Sequence, residues 1–141
     1  MSTTGVAGHD NCHFHNASYV EWGHRMARLV SRDLYGTDVP GNIEAPNPVS
    51  ATWLDDTHLE IDYGPTGNGL ELQEGAANYF SLSDGATISE VSLEGTTVVL
   101  TTDAPSEATW VSFVDVPGDI HWLVKDLGIG GFAYYEFTID P

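Results

Sequence analysis

Lysine and arginine are nearly absent from this sequence. Four basic residues stand against 21 acidic ones among 141, a formal charge of −17 at neutral pH. Such a field repels the phosphate backbone of nucleic acids and the headgroups of anionic membranes, so neither is expected as a partner. Cysteine is scarcer still. Cys12 stands alone, which excludes an intrachain disulfide framework and leaves the redox compartment open. It is expected to be a packed small side chain, because neighbouring His13 could be aimed at it as a base only with strain. Long apolar runs are also lacking, and none nears the roughly 20 residues of a membrane span. Residues 1–15 have neither the basic start nor the apolar centre of a signal segment, so the signal of an exported parent protein would lie upstream of Met1.

The charge is unevenly spread. Residues 1–37 balance Asp10, Glu21 and Asp33 against Arg25, Arg28 and Arg32, while the remaining acids share the rest of the chain with Lys125 alone. An Arg-free, Lys-poor acidic surface is a pattern of saline or marine habitats, where screening relieves self-repulsion, so a halophilic gain of stability with salt is expected. Hydrophobic residues make up 41%, with four Trp and six Tyr, enough for a folded core.

The periodicity changes along the chain. Tyr19, Trp22, Met26, Leu29, Val30 and Leu34 recur at helical spacing and form one apolar face. Ser18 and Glu21 read as a capping box at the start, and Gly36 reads as the residue that ends the helix. Glu21, Arg25, Arg28 and Arg32 fall on the opposite face, which is expected to be solvated. Residues 38–48 carry three prolines and a glycine, a fairly stiff linker. From residue 49 the period is two. Seven strands are expected, at 49–53, 58–63, 79–83, 88–93, 96–102, 110–114 and 132–139, with Glu94-Gly95 as a hairpin connection and Ala133, Tyr135, Phe137 and Ile139 facing inward. The fold class is mainly β: an immunoglobulin-like antiparallel β-sandwich over 49–141, preceded by one long amphipathic helix.

The stretch Gly8-His9-Asp10-Asn11-Cys12-His13-Phe14-His15-Asn16 concentrates reactive side chains just before that helix. An Asp three residues before a His can accept from the imidazole Nδ1–H, fixing its orientation and leaving Nε2 as a base toward a serine hydroxyl. Asp10 and His13 would fill these roles. Zinc ligation by His13 and His15 is a second reading, but no second ligand cluster follows, and a solvated loop before a helix is a third.

The wider string, Ser2-Thr3-Thr4-Gly5-Val6 through Asp10-Asn11-Cys12-His13-Phe14, then Tyr19, Gly23 and Arg32-Asp33-Leu34-Tyr35-Gly36, resembles the last conserved block and final helix of SGNH (GDSL-like) hydrolases. The resemblance is to those of the carbohydrate esterase kind, the sialate O-acetylesterase and acetylxylan esterase relatives. The resemblance implies that residues 1–37 are the C-terminal remnant of an α/β hydrolase domain, with Asp10 and His13 as catalytic acid and base. It implies a secreted parent enzyme that removes acetyl groups from sugar hydroxyls through a serine acyl-enzyme, without a cofactor or metal. The family's Gly-Asp-Ser nucleophile block and its oxyanion-hole blocks have no counterpart here; Ser83-Asp84-Gly85 has the wrong order and Gly118-Asp119-Ile120 lacks the serine. The chain is therefore expected to be inactive alone, acting on an acetylated glycan only through a full-length enzyme or a partner chain that supplies the serine. Asn47-Pro48-Val49-Ser50-Ala51, Phe80-Ser81-Leu82 and Gly128-Ile129-Gly130 resemble the all-β domain that follows the catalytic domain in some of these esterases.

A carbohydrate-binding or interaction module is the rival function. Alternation that puts Val111 and Phe113 inside points Trp110 outward, and Trp110 and Trp122 are candidate sugar-stacking residues, although a Trp such as Trp53 more often packs in a core. Gly128-Ile129-Gly130-Gly131 lacks the Lys and following helix of a phosphate loop and is expected to be a turn. Asp55-Asp56, Glu60 with Asp62, and Asp115 with Asp119 do not form the ordered series of a calcium loop.

Overall fold

The computed structural model describes residues 16–41, 43–114, 123–125, 129–131 and 133–141. One helix, α1 (Asn16–Asp33), precedes ten strands. Helix α1 starts before Ser18, which therefore lies inside the first turn and not at the cap position; Glu21 takes the Arg25 Nε–H at 2.9 Å. Its other end follows expectation. Gly36 adopts φ +62, a left-handed conformation that suits a residue without Cβ, and donates its N–H to the Arg32 carbonyl at 3.2 Å.

The helix is rotated from the sequence expectation, with Trp22, Leu29 and Val30 of the apolar face half-buried. Arg25, placed on the solvated face, is only 3% exposed, and Arg28 is half-buried, whereas Tyr19, Met26 and Leu34 of the apolar face are 56%, 53% and 77% exposed. Among the described residues no strand packs extensively on α1. On the covered side Arg25 is paired with Glu21, whereas among the described residues the buried Arg28 Nη1 has no hydrogen-bond partner. Arg32 Nη2 reaches the Glu44 carboxylate at 2.9 Å, and Ile43, Ala45, Pro46 and Pro48 are buried. The Asn47 N–H donates to Thr66 Oγ1 at 3.2 Å, so the proline-rich segment is fastened at two points in its C-terminal half.

Two antiparallel sheets carry most of the strands. One has the order β1-β2-β6-β5, from β1 (Ser50–Trp53), β2 (His58–Asp62), β6 (Thr97–Thr102) and β5 (Ile88–Glu94). The other has the order β10-β7-β4, from β10 (Tyr134–Thr138), β7 (Trp110–Phe113) and β4 (Phe80–Leu82). A small third sheet joins β3 (Glu71–Leu72), β8 (Leu123–Lys125) and β9 (Ile129–Gly130) in the order β3-β8-β9. Part of the glycine-rich string expected to be a turn thus forms β9. The β5–β6 hairpin turns at Gly95-Thr96, one residue later than expected, because the register pairs Glu94 with Thr97 and leaves Gly95, at φ +65, as the first turn residue.

The two larger sheets share one core. Ala51, Leu59, Ile61, Val98 and Leu100 come from the first sheet, and Phe80, Leu82, Val111 and Phe113 from the second. These are the alternate positions of period-two strands, and burying each large apolar side chain is worth about 1.5–3 kcal/mol. Phe80 and Phe113 meet with ring centroids 4.6 Å apart. No helix among the described residues is long and apolar enough to cross a membrane.

Strand β10 breaks the expected alternation. Tyr134 pairs with Phe113 and Phe137 with Val111, so two residues on β10, Tyr135 and Glu136, face Ser112 alone. This is a β-bulge, and it puts Tyr134 and Phe137 on the core side while Tyr135, expected inside, is 71% exposed. Glu136 sits at φ +51, the one described non-glycine residue with positive φ, and its N–H donates to Ser112 Oγ at 2.8 Å.

Candidate functional site

Asp10 and His13, with Cys12 and His15, lie outside the described residues, as does Trp122. What the structure describes is the element that follows them: α1 begins three residues after His13. The nearest echo of a nucleophile block, Ser83-Asp84-Gly85, is occupied in closing a turn. Ser83 Oγ accepts the Thr109 N–H at 2.8 Å, and the Asp84 carboxylate accepts the Ala86 N–H, the Ser106 hydroxyl at 2.8 Å and the Glu107 N–H. Burial raises the Asp84 pKa, but these donors outweigh it and the carboxyl ends below its ordinary range.

A second Asp-x-x-His, which the sequence reading passed over, is fully visible. In the β1–β2 connection Asp55-Asp56-Thr57-His58, the His58 Nδ1 lies 2.9 and 2.8 Å from the two Asp55 oxygens. A carboxylate only accepts, so the proton sits on Nδ1 and Nε2 is the acceptor side of the ring. The Asp55 carboxyl is held well below the usual range, first by the Thr57 N–H, then by the imidazole and the Thr57 hydroxyl. The same carboxylate takes the Thr57 N–H at 2.8 Å and the His58 N–H at 2.9 Å, which closes the hairpin. The couple shows what this spacing can do in the chain, namely orient an imidazole. The hydroxyl beside it, on Thr57, bonds Asp55 Oδ1 and faces Nδ1 at 3.1 Å, the wrong nitrogen for activation.

The tryptophans divide. Trp53 is structural: it packs against the core and its indole N–H donates to the Ala108 carbonyl at 3.0 Å. Trp110 is half-buried on the side of β7 opposite Val111 and Phe113, as alternation requires, and it has a partner that alternation hid. The Tyr135 ring lies 6.3 Å from it, tilted by 35°. The neighbouring Glu136 carboxylate raises the pKa of the exposed Tyr135 phenol. Elsewhere, a groove of about 330 Å³ is bordered by Leu72, Gln73, Glu74, Ala76, Ser89 and Glu90. Its two carboxylates have no cationic side chain opposite them in the lining. Among the described residues no group of three or more His, Cys, Asp or Glu is placed to hold a metal ion.

No family model and no curated protein matches this sequence. Among solved structures, the crystal structure of a novel carbohydrate acetylesterase from Xanthomonas citri aligns with a TM-score of 0.68 and 20% identity. The alignment covers 92% of this chain and 30% of the other. The chain has the fold of part of that esterase. It spans 30% of the length of a longer polypeptide, and the match takes in nearly all of the 141 residues. The fold is thus shared with part of a carbohydrate acetylesterase, in line with the expected resemblance.

Proposed function

We propose that this chain is the C-terminal portion of a serine carbohydrate O-acetylesterase, in which Asp10 orients His13 and His13 activates a serine supplied from outside residues 1–141. The observation that carries the reading is the extent of the structural match: 92% of the chain aligns on 30% of a carbohydrate acetylesterase. The Asp-x-x-His string directly ahead of α1 supplies the chemistry. The Asp10 carboxylate holds the His13 ring with Nε2 toward the serine; His13 takes the hydroxyl proton as the serine attacks and gives it to the sugar oxygen that leaves as the acyl-enzyme forms, and water activated in the same way then releases acetate.

The remaining features support the same assignment. With the small third sheet set aside, the orders β1-β2-β6-β5 and β10-β7-β4 follow the A-B-E-D and G-F-C pattern of an immunoglobulin-like sandwich. An appended sandwich of that kind accords with a multidomain esterase. The exposed apolar residues of α1 give the serine-bearing domain a surface to cover, in keeping with α1 as the last helix of an SGNH domain.

Hydrolysis of p-nitrophenyl acetate tests the reading. The chain alone is expected to turn over at the buffer rate, because removing a triad nucleophile costs several orders of magnitude. Assembled with the polypeptide that supplies the serine, it should give turnover that falls by a similar factor in His13→Ala. Turnover by the chain alone that vanishes in His13→Ala would overturn the division of the triad. Turnover by the assembled enzyme that survives His13→Ala would overturn the role of His13.

A further inference from the structure

We infer that Trp110, Tyr135 and Glu136 form a binding platform for a neutral glycan chain on the outward side of β7 and β10. Three features meet at this place. The first is apolar surface where the chain has little reason to show it: Tyr135 is 71% exposed and its ring adjoins Trp110 at 6.3 Å with a 35° tilt. Two neighbouring rings at a shallow angle make an open aromatic surface, the shape on which the apolar face of a pyranose stacks. The second is a polar group at the rim: Glu136, next to Tyr135 on β10, is exposed, and its carboxylate can accept from sugar hydroxyls. The third is the backbone that creates both. Without the bulge, period-two alternation would send Tyr135 into the core with Phe137; with it, Tyr135 turns outward and Glu136 takes φ +51, a conformation strained for any residue bearing a Cβ. Ser112 holds the bulge by accepting the Glu136 N–H at 2.8 Å. Strain of this sort persists where the position of a side chain matters more than local stability.

The charge selects the ligand. Beyond residue 37 Lys125 is the only lysine or arginine, so the sequence offers little to neutralise a carboxylated or sulfated sugar, and the acidic field repels one. A neutral polysaccharide backbone meets no such barrier, and its hydroxyls suit a carboxylate acceptor. This deepens the proposed function, since it rests on the reading that the chain serves a carbohydrate-acting enzyme. The platform would hold the polymer while the triad works elsewhere.

Native affinity electrophoresis of the full chain tests it, with soluble xylan as the neutral probe and polygalacturonate as the anionic one. Xylan is expected to retard the wild type. Tyr135→Ala is expected to lose at least tenfold in apparent affinity, and Glu136→Gln severalfold. Tyr135 is exposed, so its variant should unfold at the wild-type urea midpoint; Tyr135→Phe, which keeps the ring, should retain most of the retardation and separates stacking from any fault in folding. No retardation by xylan, equal retardation of Tyr135→Ala, or equal retardation by polygalacturonate would overturn the platform. The failure is distinguishable from failure of the esterase reading, because p-nitrophenyl acetate is too small to need the platform. Turnover by the assembled enzyme that survives Tyr135→Ala leaves the triad standing whatever the gel reports.

Discussion

The hydroxyl pair between Tyr63 and Tyr134 ties the two larger sheets together, and its contribution can be separated from that of the rings that carry it. Tyr63 follows β2, is 0% exposed, and its Oη lies 3.0 Å from the Oη of Tyr134 on β10. Tyr63→Phe keeps the ring and deletes one oxygen, leaving the Tyr134 hydroxyl without this partner; the cost should be about 1–2 kcal/mol. Tyr134→Phe should cost about as much. With both oxygens gone neither is left unmatched, so the double variant should lose less than the sum of the singles by about 1 kcal/mol. Tyr63→Ala also removes a buried ring and should cost about 3–5 kcal/mol. Urea unfolding reads all four: with a slope of about 2 kcal/mol per molar, Tyr63→Phe should move the midpoint by roughly 0.5–1 M. Burial pushes the Tyr63 phenol well above the ordinary range. Its contribution is therefore complete below the ordinary phenol pKa of about 10 and is lost as pH rises through the folded value. Additive singles, or a neutral Tyr63→Phe, would refute the claim that the hydroxyls act on each other.

Three further outcomes are expected. Gly67→Ala places a Cβ 2.8 Å from the Tyr63 Cβ and 3.0 Å from the Thr96 Cβ, neither of which is a movable side-chain end, so calorimetry should report a loss of about 1–3 kcal/mol. Asp55 and Asp84 both have lowered carboxyl pKa values, so the stability they confer is present above the ordinary aspartate value of about 3.9 and is lost as pH falls through their folded values; an acid titration followed by circular dichroism should show a shallower acid limb in Asp84→Asn than in wild type. The charge of −17 predicts a melting temperature that climbs from low salt to about 1 M, where the Debye length falls to about 3 Å, and a flat or falling trend would remove self-repulsion as a determinant of stability.

The strands were legible because each places apolar residues at every second position between turn-forming residues, a signal that survives without knowledge of the partners. Leu59, Ile61 and Tyr63 against His58, Glu60 and Asp62 is the clearest instance, and all three apolar residues are buried. Strands β3 and β9, two residues each, are too short to show any period. The bulge in β10 was hidden for a different reason. Its extra residue is a glutamate, where a glycine would have marked a positive φ, and Tyr134 and Tyr135 are the same residue, so nothing in the string says which one faces the core. The orientation of α1 failed because an apolar stripe tells only which face would be buried if a partner were present. The Asp55–His58 couple escaped notice because Asp-x-x-His means little by itself in a chain rich in carboxylates. Identical spacing at Asp10 and His13 drew weight only from the residues around it.

The exposed side of α1 gives the proposed assembly its most direct physical test. Tyr19, Val20, Met26 and Leu34 are each more than half exposed, and covering such side chains is worth about 1 kcal/mol or more apiece. Together they could supply several kcal/mol to the docking of a serine-bearing domain. Tyr19→Ser combined with Met26→Ser should barely alter the stability of the chain alone, since exposed substitutions usually fall within about 0.5 kcal/mol. The same pair should weaken association with that domain by roughly 2–3 kcal/mol, on the order of 50-fold in affinity at 1.4 kcal/mol per factor of ten. Analytical ultracentrifugation of the mixture measures the association, and urea unfolding measures the chain alone. Unchanged association in the double variant would leave the apolar face without a role in assembly. A large loss of stability in the chain alone would mean that the face is already buried in solution by a second copy.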